Sequence, residues 1–277
     1  MRKWASNSTQ LLSDINSENH GLACNKTLQE DESLKILGIS WNPAADMFQF
    51  QVARVHDIPR SKRAVLSMIA KLFDPLGWVT PATVSAKIFM QLLWRLKLDW
   101  DDEIPSDHLC NWKKIYTQLT ALNGLRIPRW TDQGSDTVGC EIHGFADASS
   151  YAYAAVVYLK VISRSGRVTI SLLAGKSKIA PVKPMSVPRL ELSAAVLLAR
   201  LIKFVRQSVI VDFSSCYYWT DSTVVLAWLK QHPTKWKMFV AHRVNEVQST
   251  LPNVSWRHVS TTDNPPTAHP GVYSARN

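Results

Sequence analysis

In the stretch Gly144-Phe145-Ala146-Asp147-Ala148-Ser149, mostly small residues surround a single carboxylate. The residues before it alternate in character, and this alternation predicts a β-strand that ends near Asp147. Two more acids occur at similar junctions: Glu191 stands at the start of a predicted helix, and Asp221 at the end of a predicted strand. Three carboxylates at strand ends and a helix start can converge on a divalent-metal site that hydrolyses a phosphodiester.

The elements predicted around these acids follow the order βββαβααβ. The patterns predict strands over residues 138–147, 151–161, 167–176, 215–220 and 254–259, and helices over residues 188–207, 223–230 and 236–247. Short turns between the first three strands predict antiparallel pairing. Glu191 shares a helical stripe with Ala195 and Leu198, so we expect it to face the sheet from the helix N-terminus. We therefore predict an α/β fold of the ribonuclease H type, with three antiparallel strands, then parallel additions, and helices.

Basic residues are unevenly distributed along this chain, whose net charge is +10. Residues 160–206 contain ten Lys or Arg residues and one acid, Glu191. A lone carboxylate in a basic tract suits a metal ligand in a nucleic-acid groove; the alternative is an ordinary basic surface. Lys176, Lys178 and Arg189 are the candidates to neutralise nucleic-acid phosphates.

Cysteine spacing and the N-terminus bear on the cellular location. The cysteines at positions 24, 110, 140 and 216 lie far apart, which favours reduced thiols over a zinc site or a disulfide framework. The N-terminus carries no secretory signal pattern, and no apolar run reaches the roughly 18 residues of a membrane span. We therefore expect an intracellular location, cytoplasmic or nuclear, with no membrane partner.

The first half of the chain predicts a separate region. At 277 residues the chain is long enough for two domains. Residues 1–33 predict a loosely ordered segment, and residues 34–130 predict a hairpin followed by helices that start near Ser61, Thr80 and Asp107. Residues 123–137 have the composition of a linker, so we place the domain boundary there.

Several phrases of the sequence resemble the Pol polyprotein of BEL/Pao-type LTR retrotransposons, and together they span most of the chain. They are Arg2-Lys3-Trp4-Ala5-Ser6-Asn7, Leu37-Gly38-Ile39-Ser40-Trp41, Lys62-Arg63-Ala64-Val65-Leu66-Ser67, Phe73-Asp74-Pro75-Leu76-Gly77, Phe145-Ala146-Asp147-Ala148-Ser149, Pro188-Arg189-Leu190-Glu191-Leu192 and Thr220-Asp221-Ser222. The resemblance implies that residues 34–130 are the mainly helical thumb and connection region at the end of a reverse transcriptase. It implies that residues 138–265 are a ribonuclease H-like domain.

The resemblance implies that the protein cleaves the RNA strand of RNA–DNA hybrids. Asp147, Glu191 and Asp221 would be the catalytic residues and would hold two Mg²⁺ or Mn²⁺ ions. The partners would be an RNA–DNA hybrid or other nucleic acid, and the upstream palm and fingers of the polymerase. The family is also catalogued under a peptidase name. The chain contains neither a Tyr-x-Asp-Asp turn nor an Asp-Thr-Gly or Asp-Ser-Gly turn, so we expect no polymerase and no aspartic protease activity.

The C-terminal end departs from the family pattern. That pattern reads Asp-Asn-Pro-Ala-Asp, then Ser-Arg-Gly two residues later, and its last Asp is the fourth metal-site acid. Here Asp263-Asn264-Pro265 is followed by Pro266-Thr267-Ala268-His269-Pro270-Gly271-Val272, which a one-base frameshift would produce. We interpret residues 266–277 as a frameshifted tail, with a mis-spliced or mis-called gene end as the alternative. We interpret Asp263 as a turn residue, with a substitute for the missing acid as the alternative. The nuclease would then be impaired; a catalytically dead nucleic-acid-binding remnant is the alternative.

Overall fold

The computed structural model describes residues 4–8, 10–16, 34–36, 39–52, 57–252 and 254–265. The predicted N-terminal segment 1–33 therefore falls largely outside the described residues, and the predicted frameshifted tail 266–277 falls wholly outside them. The strands are β1 Leu34–Ile36, β2 Ile39–Asn42, β3 Met47–Gln49, β4 Arg126–Pro128, β5 Thr137–Ala148, β6 Ala152–Ser163, β7 Val168–Ile179, β8 Ser215–Thr220 and β9 Trp256–His258. The helices are α1 Lys62–Lys71, α2 Thr80–Arg95, α3 Ser106–Ala121, α4 Val187–Ser208, α5 Thr223–Leu229 and α6 Met238–Thr250.

The larger sheet has five strands in the order β7-β6-β5-β8-β9. Strands β5, β6 and β7 pair antiparallel, whereas β8 pairs parallel to β5, and β9 pairs parallel to β8. This is the predicted arrangement of three antiparallel strands with parallel additions, and the prediction is confirmed. The parallel pairing matters because it brings the C-terminal ends of β5 and β8 to the same edge of the sheet.

Helix α4 packs across one face of this sheet. Its buried stripe includes Leu198 and Ile202, which meet the core-facing residues Ile142 and Ala146 of β5. Gly144 lies between those two residues, and a Cβ atom there would stand 2.8 Å from Leu198 Cδ1. The missing side chain lets α4 approach the sheet closely. Because successive side chains of a strand point to opposite faces, His143, Phe145 and Asp147 lie on the face of the sheet that is turned away from α4.

The first part of the chain forms a four-stranded antiparallel sheet and a three-helix cluster. Ser61 caps α1 by accepting a hydrogen bond from Ala64 N, as the sequence predicted. The cluster buries Phe89 and Trp112, whose stacked rings lie 5.2 Å apart. Residues 126–128 fall within the range whose composition predicts a linker, but they form strand β4. They do so because Ile127 pairs with Phe48 of β3 at the edge of the sheet. Pro128 is tolerated there because an edge strand can lack one ladder donor.

The loop before α2 attaches this part of the chain to the larger sheet. Gly175 N of β7 donates to Leu76 O at 2.7 Å, and Trp78 Nε1 donates to Leu172 O and Leu173 O, both at 3.1 Å. The pairing of β6 with β7 shifts register at this point, so the indole satisfies carbonyls of a β-bulge. Gly77 has φ +72°, and a Cβ atom there would lie 1.8 Å from Gly175 O. The two backbones are in direct contact.

In the described part of the chain, none of the helices is both long enough and apolar enough to cross a membrane.

Candidate active site

Two of the predicted acids lie at neighbouring strand ends because β5 and β8 are parallel neighbours. Ala146 and Thr220 are partners in the pairing register, and Asp147 and Asp221 are the next residues on each chain segment. Asp147 is only 8% exposed, and its Oδ1 accepts a hydrogen bond from Ala148 N at 2.8 Å. The strand ends therefore place both carboxylates at one edge of the sheet.

Glu191 reaches the same edge from the first turns of α4. Ser222 Oγ donates to Glu191 Oε2 at 2.5 Å, and Ser222 is the residue directly after Asp221. The pKa of Glu191 is raised above its ordinary value, mainly because the carboxyl is buried, and the charge of Asp221 raises it further, while the Ser222 bond opposes the shift. The negative charges of Glu191 and Asp221 are thus close enough to repel each other.

Ser222 is a site residue that the sequence reasoning missed. Its Oγ also accepts from Val225 N at 3.2 Å, so the same hydroxyl caps α5 and holds Glu191. The signal was present in the sequence, because a serine between a strand-ending acid and a helix is a good N-cap. The contact with Glu191 is between residues 31 positions apart, and no local pattern indicates it.

The segment after β9 closes the edge of the site, and we call residues 259–265 the strap. Val259 N donates to Thr220 O at 3.1 Å, and Thr261 Oγ1 donates to Asp221 Oδ2 at 2.8 Å. Further along, Asn264 Nδ2 donates to Ala146 O at 3.3 Å. The strap therefore ties the end of β8 to the end of β5. Asp263 closes a turn within it by accepting from Ser260 Oγ at 2.5 Å.

A metal ion would find hard oxygen donors here but not a ready-made cluster. Within the ranges that the structure describes, no three or more His, Cys, Asp or Glu side chains are grouped closely enough to hold a metal. Glu191 is turned to Ser222, and Asp221 Oδ2 is turned to Thr261. However, Asp221 Oδ1 is buried and accepts no hydrogen bond from the described residues. A buried carboxylate oxygen without a donor is the kind of atom that a cation compensates, so the donor set fits Mg²⁺ or Mn²⁺.

The predicted cations do not all converge on the carboxylates. Asp147 pairs with Ala154 of β6, and Ala154 pairs with Ser177 of β7, so these three residues share the face of the sheet opposite α4. Lys176 and Lys178 lie one position before and one position after Ser177, and they therefore point to the α4 face. Arg189 lies two residues before Glu191 on α4, so the two side chains point to different sides of the helix. Its guanidinium is 5.1 Å from the centre of the Phe239 ring.

Arg189 has a second cation next to it. Arg243 lies 3.5 Å from the centre of the same Phe239 ring, and its Nε donates to Ser193 Oγ. Burial lowers the pKa of Arg243, and the charges of Arg200 and Arg189 add to that effect. Two arginines on one aromatic ring form a cationic patch beside the first turns of α4, which suits a phosphate group.

A cleft of about 310 Å³ opens on the face of the sheet that carries Asp147. The sheet contributes Asp147 and Tyr158 to its walls, α2 contributes Pro81 and Val84, and the strap contributes Pro265. The surroundings of the site are therefore built from both parts of the chain.

The raised pKa of Glu191 predicts a pH-dependent stability that Glu191→Gln removes. A carboxyl whose folded pKa exceeds its unfolded value stabilises the fold when protonated. That contribution is complete below the ordinary value of 4.5 and is lost as the pH rises through the raised pKa. In metal-free buffer, the unsubstituted chain should therefore lose stability relative to Glu191→Gln over this range, as measured by urea denaturation at a series of pH values. The matched change at the exposed Glu103 should keep the original profile; parallel profiles for the unsubstituted chain and Glu191→Gln would contradict the assignment.

Comparison with protein families gives a match over residues 61–222. The matching family is described as a Pao retrotransposon-like RNaseH-like domain. The matched range includes Asp147, Glu191 and Asp221, and it also includes the helices α1 to α3 that precede the larger sheet. Among curated proteins, no sequence matches this chain.

Comparison with solved structures gives ribonuclease H domains and a viral polymerase. The N-terminal ribonuclease H domain of a Mycobacterium tuberculosis protein, solved as a maltose-binding protein fusion, is 12% identical, with 46% of this chain and 87% of that chain covered and a TM-score of 0.30. A ribonuclease H1 in complex with an RNA/DNA hybrid is 13% identical, with 45% and 88% covered and a TM-score of 0.29. The foamy viral protease–reverse transcriptase in complex with double-stranded DNA is 10% identical, with 82% and 38% covered and a TM-score of 0.31.

Proposed function

Because the chain belongs to the Pao retrotransposon-like RNaseH-like domain family, whose match spans more than half of its length, we propose that it cleaves the RNA strand of RNA–DNA hybrids. The observation that supports this most is the parallel pairing of β5 and β8, which puts Asp147 and Asp221 at the same end of neighbouring strands, with Glu191 close enough to Asp221 for that charge to raise the Glu191 pKa. The cationic patch of Arg189 and Arg243 at the first turns of α4 suits the phosphates of a nucleic acid.

In this proposal Asp147, Glu191 and Asp221 hold Mg²⁺ or Mn²⁺. The bound ions would supply an acidified water and charge stabilisation for the leaving 3′ oxygen. The chain's own residues set up the site. The Ala148 amide orients Asp147, Ser222 orients Glu191, and Thr261 orients Asp221. Burial of Asp147 and Glu191 lowers the local dielectric, which strengthens their attraction for a cation.

We further propose that residues 34–130 are the thumb and connection region of a reverse transcriptase, and that palm and fingers are their partner. Support comes from the backbone contact between Gly77 and Gly175, which makes this region a neighbour of the nuclease domain. Residues 138–265 would be that domain.

The family's fourth metal-site acid is replaced by Pro266-Thr267, so we propose an impaired nuclease. Reading the nucleotides that follow the Pro265 codon tests the frameshift: the other frame should encode Asp and then Ser-Arg-Gly.

A catalytically dead nucleic-acid-binding remnant is the second candidate function. The specific observation in its favour is that the three acids do not form a metal-ready group among the residues that the structure describes. Both candidates predict salt-dependent binding of nucleic acid, since both depend on the same basic tract.

The experiment that separates them is cleavage of an end-labelled RNA–DNA hybrid by the full chain. With Mg²⁺ or Mn²⁺ we expect cut RNA and intact DNA, and with EDTA or with Asp221→Asn we expect no product. The same RNA in single-stranded form and a DNA duplex of the same sequence are the substrate controls. Binding of the hybrid without any metal-dependent product would select the second candidate.

A further inference from the structure

The side chain of Asn264 has an unusual position in the strap. It is only 3% exposed, and Nδ2 donates to Ala146 O, the carbonyl directly before Asp147. Ala146 is the last residue of β5 that pairs with β8, so Asn264 continues the bonding where β8 ends. A carbonyl oxygen can only accept hydrogen bonds, so the amide nitrogen must face Ala146 and Oδ1 must face away.

In the part of the chain that the structure describes, no group donates a hydrogen bond to that Oδ1 atom, which is buried. Asp221 Oδ1 is in the same state, and the strap that carries Asn264 is bonded through Thr261 to that same carboxylate. Among the described residues, two buried oxygen acceptors without donors therefore occur on Asn264 of the strap and on the Asp221 carboxylate to which the strap is bonded.

Buried polar atoms without partners are rare, because each loses its hydration without a replacement. One charged and one neutral oxygen together match the ligand preference of a hard divalent cation, which accepts carboxylate and Asn carbonyl oxygens alike. The strap also lies beside Asp147, since Pro265 and Asp147 line the same cleft. The position that lacks an acid in the sequence, Thr267, is three residues after Asn264.

From these contacts we infer that Asn264 Oδ1 is the fourth oxygen of the cation site, alongside Asp147, Glu191 and Asp221. The inference rests on the proposed function, because it assumes that those acids hold the metal. A neutral amide replaces a carboxylate in this role, so the chain keeps the number of oxygen ligands and loses one negative charge. The site binds the metal more weakly than a four-acid site would.

The test is direct binding of Mn²⁺ to the full chain, measured by isothermal titration calorimetry without nucleic acid. Asn264→Leu keeps the approximate size and removes both polar atoms, and it should weaken Mn²⁺ binding about tenfold or more. Asn264→Asp adds the missing charge and should tighten binding by a similar factor. If the leucine variant does not fold, the aspartate variant still decides.

Thr262→Val is the matched control on the same strap. It removes one hydrogen bond within the strap, to Ser260 Oγ, and leaves the bond from Thr261 to Asp221 in place, so it should not weaken Mn²⁺ binding. Unchanged affinity in both Asn264 variants, with binding that Asp147→Asn abolishes, would overturn this inference and leave the proposed function intact; the two oxygens would then accept from buried water. Absence of Mn²⁺ binding by the unsubstituted chain would overturn both.

Discussion

Replacing Gly77 by alanine is expected to lower the free energy of unfolding by about 3 kcal/mol or more. Two effects add at this position. An L-residue at a φ of +72° is strained by roughly 1–2 kcal/mol, and the new methyl group would lie 1.8 Å from Gly175 O. Backbone atoms cannot rotate away, so the loop or β7 must move. The hydrogen bond from Gly175 N to Leu76 O, which lies in the same contact, would be lost as well. Urea denaturation of the full chain measures the change.

Gly166→Ala is the control for the strain alone. Gly166 also has a positive φ, +84°, but nothing lies within 4 Å of the Cβ atom that alanine would add. We expect a loss of about 1–2 kcal/mol there, from the backbone conformation only. Gly175→Ala should resemble Gly77→Ala, because its Cβ atom would lie 2.7 Å from Gly77 O. Equal losses for Gly77→Ala and Gly166→Ala would mean that the backbone contact does not constrain the fold.

This contact gives a physical reason for the phrase Phe73-Asp74-Pro75-Leu76-Gly77. Asp74 accepts hydrogen bonds from Trp78 N and Val79 N, both at 2.9 Å, and so fixes the turn that leads into α2. Burial raises the pKa of Asp74, while these backbone bonds oppose the shift. Leu76 and Gly77 then contact the backbone of β7 at Gly175, and Trp78 Nε1 donates to the two carbonyls of the β-bulge. The phrase is a docking loop between the helical cluster and the larger sheet.

The order of elements around the acids could be predicted because its signals are local. Alternation over residues 138–147 predicted β5, and the helical stripe through Glu191 and Leu198 predicted the inward face of α4. The parallel placement of β8 followed from the recognised ribonuclease H order. Once that order was assumed, Asp147 and Asp221 had to lie at the same edge of the sheet.

What could not be predicted depends on contacts between distant residues. Residues 126–128 form β4 only because Phe48, about 80 positions earlier, offers a partner strand. Ser222 meets Glu191, and Asn264 meets Ala146, across the fold rather than along the chain. The face on which Lys176 lies depends on its register with β6, and a shift of one residue would reverse it. The composition of the basic tract made Lys176 a candidate to neutralise nucleic-acid phosphates, but it does not indicate the face of the sheet.

Asp147→Asn is expected to lower metal-dependent cleavage of the RNA–DNA hybrid by about a thousandfold. The change keeps the shape of the side chain, and the new amide oxygen can still accept from Ala148 N. It removes the negative charge that would anchor the cation. Metal ions supply several kcal/mol of transition-state stabilisation, and each ~1.4 kcal/mol is a factor of ten in rate. Single-turnover cleavage of the labelled hybrid measures the loss.

The Asp147→Asn variant should keep its stability and its affinity for the hybrid although its cleavage rate falls. Asp147 is buried, so replacing its charge by a neutral amide should leave the metal-free fold as stable as before or more stable. Asp212→Asn is the matched control, because Asp212 is exposed and precedes β8, whereas Asp221 follows it. That control should keep the full rate. A large loss of rate in both variants, or a loss of folding in Asp147→Asn, would mean that Asp147 supports the structure rather than the chemistry. A loss of rate confined to Asp147→Asn, with the melting temperature and hybrid affinity preserved, is the result that the geometry of this strand end predicts.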